Sequence, residues 1–332
     1  MLDNKTILIT GGTGSFGNFF TQYVLEHYKP KKIIIYSRDE FKQFNMRNKF
    51  MKYDELLRFF IGDVRDKDRL NRAFNGVDYC IHAAAMKQVP ACEYNPIEAI
   101  KTNINGATNV IDAALDRGVL KVVALSTDKA VNPINLYGGT KLVSDKLFVS
   151  ANAYSGADGT VFSIVRYGNV AGSRGSVIPF FAELIAQGKN CLPITDVRMT
   201  RFWINLQQGV ELVLKALTES RGGETYISKI PSFKITDLAA AMLTGCELSE
   251  VGIREGEKLH EVMVAKEDSP QTYEYDRHFI IYPHMEWWSM EDHFTPGGIK
   301  VADGFEYSSG NNKEWLDISQ LKELLKSYKS AH

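Results

Sequence analysis

Apolar positions in the first half of the chain fall into two alternating patterns. Short β-branched runs occur at Thr6–Thr10, Lys32–Tyr36, Leu57–Ile61, Tyr79–His82, Lys121–Ser126 and Val161–Tyr167. Amphipathic stretches of helical length lie between them, and Gly, Pro, Asn or Asp often marks the joins. Buried strands alternating with helices imply βαβ units and a parallel sheet covered on both faces. Right-handed crossovers then favour a doubly wound α/β sheet of the Rossmann type. After Tyr167 the pattern loosens. Residues from Gly168 to Arg201 are rich in Gly, Ser, Pro and Arg, as expected of loops over a ligand. Gln207–Leu217 reads as a helix and Thr225–Ile227 as a late strand returning to the sheet. From Ile230 onward the expectation is a smaller lobe with one clear helix, Thr236–Leu243. Asp276–Glu306 has no periodicity that assigns it.

These patterns divide the chain into a dinucleotide-binding part, residues 1–167 with returning segments near 203–228, and a smaller substrate lobe, residues 168–202 and 229–332. A length of 332 residues suits one large domain with a second lobe. The net charge of -1 offers no basic face for nucleic acid. Cys80, Cys92, Cys191 and Cys246 form no CxxC pair and read as buried reduced thiols, neither a disulfide frame nor a metal site. The chain shows no signal-peptide pattern and no apolar run long enough to span a bilayer, so the expected location is the cytoplasm, with no membrane contact.

The first strand ends in Gly11-Gly12-Thr13-Gly14-Ser15-Phe16-Gly17, three glycines at GxxGxxG spacing before a helix. Such a loop brings backbone N–H groups and a helix N-terminus against a pyrophosphate. The second strand ends in Tyr36-Ser37-Arg38-Asp39, with Lys42 one turn on. Ser37, Arg38 and Lys42 suit a ribose 2′-phosphate and favour NADP, although Asp39 and Glu40 make a plain charge cluster an alternative. In Gly62-Asp63-Val64, Asp63 either meets the adenine amino group or caps the next helix. Ala83 and Ala85 follow the fourth strand, where small residues let the backbone lie against a cofactor. His82 reads as a packed residue.

The fifth strand leads into Ser126-Thr127-Asp128-Lys129, and eight residues later comes Tyr137-Gly138-Gly139-Thr140-Lys141. Tyr and Lys at i, i+4 share one helix face. An ammonium and a positive nicotinamide beside the phenol lower its pKa, so that it can take a proton from a sugar hydroxyl as a hydride leaves. Thr127 can hydrogen-bond the same hydroxyl.

With Gly11, Gly14, Gly17, Thr127, Tyr137 and Lys141 the chain resembles the extended short-chain dehydrogenases/reductases that act on nucleotide sugars. Asp128-Lys129, where many dehydratases of that class have Asp-Glu, is similar to the subgroup of C5-inverting UDP-N-acetylglucosamine 4,6-dehydratases. Asn132–Tyr137, Arg166–Val170, Ser173–Val177, Met199–Trp203, Gly252–Lys258 and Phe305–Ser309 carry the same likeness. The resemblance implies NADP as cofactor, a UDP-sugar as substrate and a homo-oligomer as the working form. It implies Lys129 as base at C5, provided it is held neutral, and Asp128 as acid at the C6 hydroxyl. Arg201 and Arg254 are implied at the diphosphate, Asn169 at a phosphate or sugar, Glu257 at a ribose hydroxyl, and Lys87 between cofactor and substrate. A UDP-sugar 4-epimerase and a non-catalytic NADP-binding protein of the same fold are the alternatives.

Overall fold

In the computed structural model, residues 1–156, 159–168, 176–286 and 288–330 are described. Seven parallel strands form the main sheet: β1 (Thr6–Thr10), β2 (Lys32–Ser37), β3 (Leu57–Ile61), β4 (Tyr79–His82), β5 (Lys121–Thr127), β6 (Val161–Tyr167) and β7 (Thr225–Ser228). Their spatial order is β3-β2-β1-β4-β5-β6-β7. The order reverses beside β1, so a crevice opens past the C-terminal ends of β1 and β4, where ligands of such sheets bind.

Alternation along each strand feeds two cores. Ile7 and Ile9 of β1 join Phe20 and Val24 of helix Ser15–His27 and Val210 and Leu214 of helix Leu206–Glu219. Leu8, between them, faces the opposite layer with Leu70, Val110 and Phe148 from helices Lys67–Ala73, Gly106–Asp116 and Leu136–Ser155. Both faces of β1 are therefore dry, which is why its five residues are all buried. A third core, with Phe181, Leu192, Trp203, Phe233 and Leu238, builds the lobe, and helix Ile318–Ser330 closes it with Leu321 and Leu325.

The expected helices 207–217 and 236–243 are present as Leu206–Glu219 and Ile235–Met242. The segment that carried no readable pattern extends the main sheet. His278–Ile281 pairs antiparallel with β7, Thr272–Glu274 pairs with it, and Ile299–Lys300 forms the edge. These strands join the dinucleotide-binding sheet, although residues 229–332 read as lobe in sequence. Of the cysteines, Cys80 and Cys92 are buried as expected, whereas Cys191 is exposed and Cys246 half-buried. Among the described residues no helix is long and apolar enough to cross a membrane.

Candidate active site

The glycine loop is shaped by close backbone contact. Gly11 has a φ of +65°, and a Cβ there would stand 2.8 Å from the Cα of Ala84. At Gly17 a Cβ would meet the Gly12 carbonyl oxygen at 2.2 Å. Helix Ser15–His27 starts at Gly14 with no side-chain cap and no acidic residue in its first turn. Its free N–H groups and dipole thus point into the crevice without a protein anion to satisfy them. Ala83 packs across the gap, its N–H donating to the Thr10 carbonyl at 3.2 Å. This cradle fits a dinucleotide pyrophosphate between Gly11, Thr13, Gly14, Ser15 and Phe16.

At the end of β2, Thr13 and Ser37 share a hydrogen bond of 2.7 Å. Asp39 caps helix Glu40–Lys49, accepting from the Lys42 N–H at 2.9 Å, and its other oxygen pairs with the Lys42 ammonium at 2.9 Å. The carboxylate that would select a ribose hydroxyl is therefore engaged by its own helix. Arg38 is more than half exposed and pairs only at 3.5 Å with Asp63. Asp63 does not cap the following helix. Asp66 does, accepting from Arg69 N–H at 2.9 Å, while Asp63 binds the Arg65 guanidinium at 2.7 Å. Val64 is buried beneath it. His82 is a core residue: its Nδ1 lies 2.8 Å from Thr10 Oγ1, and burial, with Lys141 nearby, pushes its pKa down to about 3.

The C-terminal end of β5 gathers the reactive groups. Thr127 Oγ1 donates to Asp128 Oδ1 at 2.9 Å, and the Lys129 N–H donates to Thr127 Oγ1 at 3.3 Å. Lys129 Nζ lies 3.1 Å from Asp128 Oδ1 and 3.3 Å from Glu261 Oε1. Asp128 and Glu261 are only 1% and 2% exposed, so both carboxyls are out of water. Burial lowers the Lys129 pKa, but the carboxylates of Asp128 and then Glu261 outweigh it and hold the group as an ammonium. The condition that Lys129 be kept neutral by cations is thus not met: its nearest charges are anions. Burial raises Asp128 above the usual carboxylate range, reinforced by Glu261 and opposed by Lys129. For Glu261 burial works upward, but Lys129, Arg201 and Lys258 win and lower it.

Tyr137 opens helix Leu136–Ser155 and is buried. Its pKa is pushed up to about 12, because burial exceeds the opposing effects of Lys129 and Thr127. Lys141 is also buried, and burial lowers its pKa against the pull of Asp145. Lys129 acts on the phenol as a cation, a partner that the i, i+4 spacing did not suggest. Gly138 lets the helix abut this cluster: a Cβ there would lie 2.1 Å from the Lys129 carbonyl oxygen.

Two residues hold the cluster together from a distance. Helix Pro96–Ile100 opens into a π turn at Lys101–Asn105, and the turn buries Asn103. Asn103 accepts from Met86 N–H at 2.8 Å and donates to Met86 O at 2.9 Å and Thr140 Oγ1 at 3.0 Å. It staples the loop carrying Ala85 and Lys87 to helix Leu136–Ser155. Burial and then the charge on Lys129 lower the Lys87 pKa. Asn135 caps that helix through Gly138 N–H at 2.7 Å and donates to Gly256 O at 2.8 Å. It thereby tethers the loop bearing Arg254 and Glu257.

Arg201 enters the cluster from strand Thr200–Phe202. It donates to the carbonyls of Thr200 at 2.7 Å and Leu259 at 3.2 Å and stands 3.6 Å from Glu261 Oε1. Arg254 is exposed, and Glu257 is half-buried with no hydrogen-bond partner on its Oε2 among the described residues. Asn169 lies outside the described residues, as do Ser173, Arg174 and Gly175. Glu261 and Asn103 escaped the sequence reading. The only hint for Glu261 was an acidic residue directly preceding the apolar run Val262-Met263-Val264.

Comparison with known proteins agrees with this geometry. The chain is 56% identical over 330 residues, 98% of each chain, to a UDP-N-acetylglucosamine 4,6-dehydratase (inverting) of Campylobacter jejuni. It is 42% identical to a UDP-glucose 4-epimerase of Rickettsia canadensis, covering 98% of this chain and 96% of that one. A crystal structure of Pen from Bacillus thuringiensis superposes with a TM-score of 0.88 at 37% identity, over 98% of this chain and 99% of the other. The family model described as polysaccharide biosynthesis protein matches residues 7–283. With its glycine cradle, its buried Thr-Asp-Lys-Tyr cluster and these relatives, the chain belongs to the polysaccharide biosynthesis protein family.

Proposed function

We propose that this protein is a C5-inverting UDP-N-acetylglucosamine 4,6-dehydratase that works with NADP. The carrying observation is the meeting of Thr127, Asp128, Lys129 and Tyr137 in one buried cluster beside the glycine cradle. The 56% identity to an enzyme of that name supports it. An epimerase needs the tyrosine but has no use for a buried acid and amine beyond it. NADP over NAD is supported by Asp39 being taken up as a helix cap while Ser37 and the loosely paired Arg38 remain for a 2′-phosphate.

When bound, NADP would supply the hydride chemistry between C4 and C6 of the sugar. Tyr137 accepts the C4 hydroxyl proton, and Thr127 orients that hydroxyl. Lys141 would hold the nicotinamide ribose of the bound cofactor. With a ketone at C4 the C5–H bond is acidic, and the Lys129 amine takes that proton. Asp128, whose burial favours the protonated form, gives its proton to the C6 oxygen as water departs. Proton delivery to the other face of C5 then inverts that centre. Arg201 and Arg254 serve the diphosphate, Glu257 the uridine ribose, and Asn169 the phosphate or sugar.

The test is incubation with UDP-N-acetylglucosamine in heavy water, followed by NMR and mass spectrometry. The reading requires loss of one water, a new C6 methyl group and deuterium at C5. The Rickettsia relatives favour a second reading, a 4-epimerase. A product of unchanged mass with an inverted C4 would establish that one and end the dehydratase proposal.

A further inference from the structure

The Lys129 ammonium presents a difficulty for a base. An ammonium cannot accept the C5 proton, and the Glu261 carboxylate, together with Asp128 whenever it is ionised, stabilises its charge. Asp128 is reserved as the acid at C6 and is itself driven toward the protonated form by burial. Glu261 has the opposite character. It is an anion in the resting protein, its Oε1 is 3.3 Å from Lys129 Nζ, and its Oε2 is buried with no hydrogen-bond partner among the described residues. That second oxygen is an unused acceptor in a dry pocket, which is costly unless the group has another state to enter.

We propose that Glu261 is a positioning residue that draws a proton from Lys129 and so delivers the amine that works at C5. The inference rests on the dehydratase reading, with Lys129 as the C5 base. In the step, one N–H bond of Lys129 breaks and an O–H bond forms on Glu261. An ion pair becomes two neutral groups, and no charge is gained or lost overall. The amine lone pair then takes the C5 proton, and the C–H electrons move into the enolate at the C4 carbonyl. Substrate binding favours the transfer in two ways. It expels water from the cleft, which penalises a buried ion pair relative to its neutral form. It also gives Arg201, 3.6 Å from Glu261, a diphosphate to bind instead, removing one cation from the carboxylate. The groups facing Glu261 are Lys129, Arg201 and Lys258, with Asp128 across Lys129; Lys129 in turn faces Asp128, Tyr137, Arg201, Lys87 and Lys258. Glu261 is the carboxylate among them whose resting form is the anion and whose second oxygen has no partner among the described residues.

Glu261→Gln keeps the shape and removes the proton acceptor. Stopped-flow absorbance at 340 nm follows C4 oxidation, and NMR follows methyl formation. In the Gln variant the 340 nm signal is expected to form at a rate within a few-fold of the parent and then persist. Methyl formation should fall at least 100-fold at neutral pH and recover about tenfold per pH unit as bulk base replaces the missing acceptor. Glu261→Asp should restore part of the rate. Methyl formation within threefold of the parent, or loss of the 340 nm signal in parallel with it, would overturn the proposal, the second result marking a structural role. Should Glu261→Gln fail to fold, the Asp variant decides through its pH profile: a profile and rate unchanged from the parent's reject the relay. A parent enzyme that oxidises C4 but never loses water would sink the dehydratase reading itself, a result separate from either outcome.

Discussion

A methyl group on Gly168 would stand 3.0 Å from Oδ2 of Asp128. The strand end of β6 thus leaves just enough room for the carboxyl that β5 presents, with the Met263 Cε at 3.3 Å on the same side. Contact this tight fixes the direction of the acid as well as its burial. The Gly168→Ala variant should push Asp128 off its line and slow water loss about 10- to 100-fold, the range that a misplacement near 1 Å produces. NADP affinity should stay unchanged. Single-turnover methyl formation and a cofactor titration check the two halves, and an unaltered rate would mean that the carboxyl has slack.

Asp128→Asn retains the volume and removes the acid. Burial raises the Asp128 pKa, so the native group is protonated on the acidic side of that raised value and donates there; it ionises, and activity declines, as pH climbs through it. The Asn variant should lose about 100- to 10,000-fold in water loss, the usual weight of one general acid. It should also lose the alkaline fall in rate that this ionisation causes. Rate–pH profiles of both proteins read this directly.

Arg38→Ala tests cofactor choice. A charge-assisted contact to a 2′-phosphate is worth about 1.5–3 kcal/mol, which is roughly 10- to 100-fold in affinity. NADP should bind that much more weakly, while NAD changes little because Asp39 stays engaged with its helix and Lys42. Fluorescence titrations with both dinucleotides decide it, and equal losses for the two would move Arg38 out of the 2′-phosphate site.

Much of this was legible in the residues. The short β-branched runs located six parallel strands to within a residue or two, because strands buried on both faces are near-continuously apolar. The GxxGxxG loop and Tyr137 were legible because close backbone approach and helix spacing leave local marks. The edge strands Thr272–Glu274, His278–Ile281 and Ile299–Lys300 were not, being two to four residues long and set among aromatic residues with no alternation. Glu261 was hidden for another reason: it meets Lys129 across 132 positions of sequence, and no spacing rule spans such a gap. The protonation of Lys129 follows from Asp128 first and from that unseen partner second, so its neutral form was the wrong resting state to expect. Asn103 was masked by the helical pattern that its π turn interrupts.

Asn135 joins two functions that separate experimentally. Its carboxamide oxygen caps helix Leu136–Ser155, and its nitrogen holds the carbonyl of Gly256. Loss of an N-cap costs about 1 kcal/mol. Asn135→Ala should lower the melting temperature by a few degrees, and freeing the 254–258 loop should raise KM for the UDP-sugar. Asn135→Asp keeps the cap but cannot donate to Gly256, so it should restore the melting temperature while leaving KM high. Recovery of both together would mean that the loop tether is irrelevant to substrate.

The phenol of Tyr137 gives the clearest pH test. Burial pushes it up to about 12, against the lowering effects of Lys129 and Thr127, so the protein alone keeps it protonated through the neutral range. Each unit between pH and pKa reduces the phenolate tenfold, and at neutral pH that fraction is far too small for an effective base. A positive charge close to the ring favours the anion and moves the pKa down. The oxidised nicotinamide brings such a charge, whereas the reduced form does not. Ultraviolet difference titration of the parent against Tyr137→Phe should therefore show no phenolate step until close to pH 12 in the free protein. With NADP+ the step should move to lower pH, and with NADPH it should not. If NADP+ left the step in place, deprotonation of the C4 hydroxyl would have to come from another group.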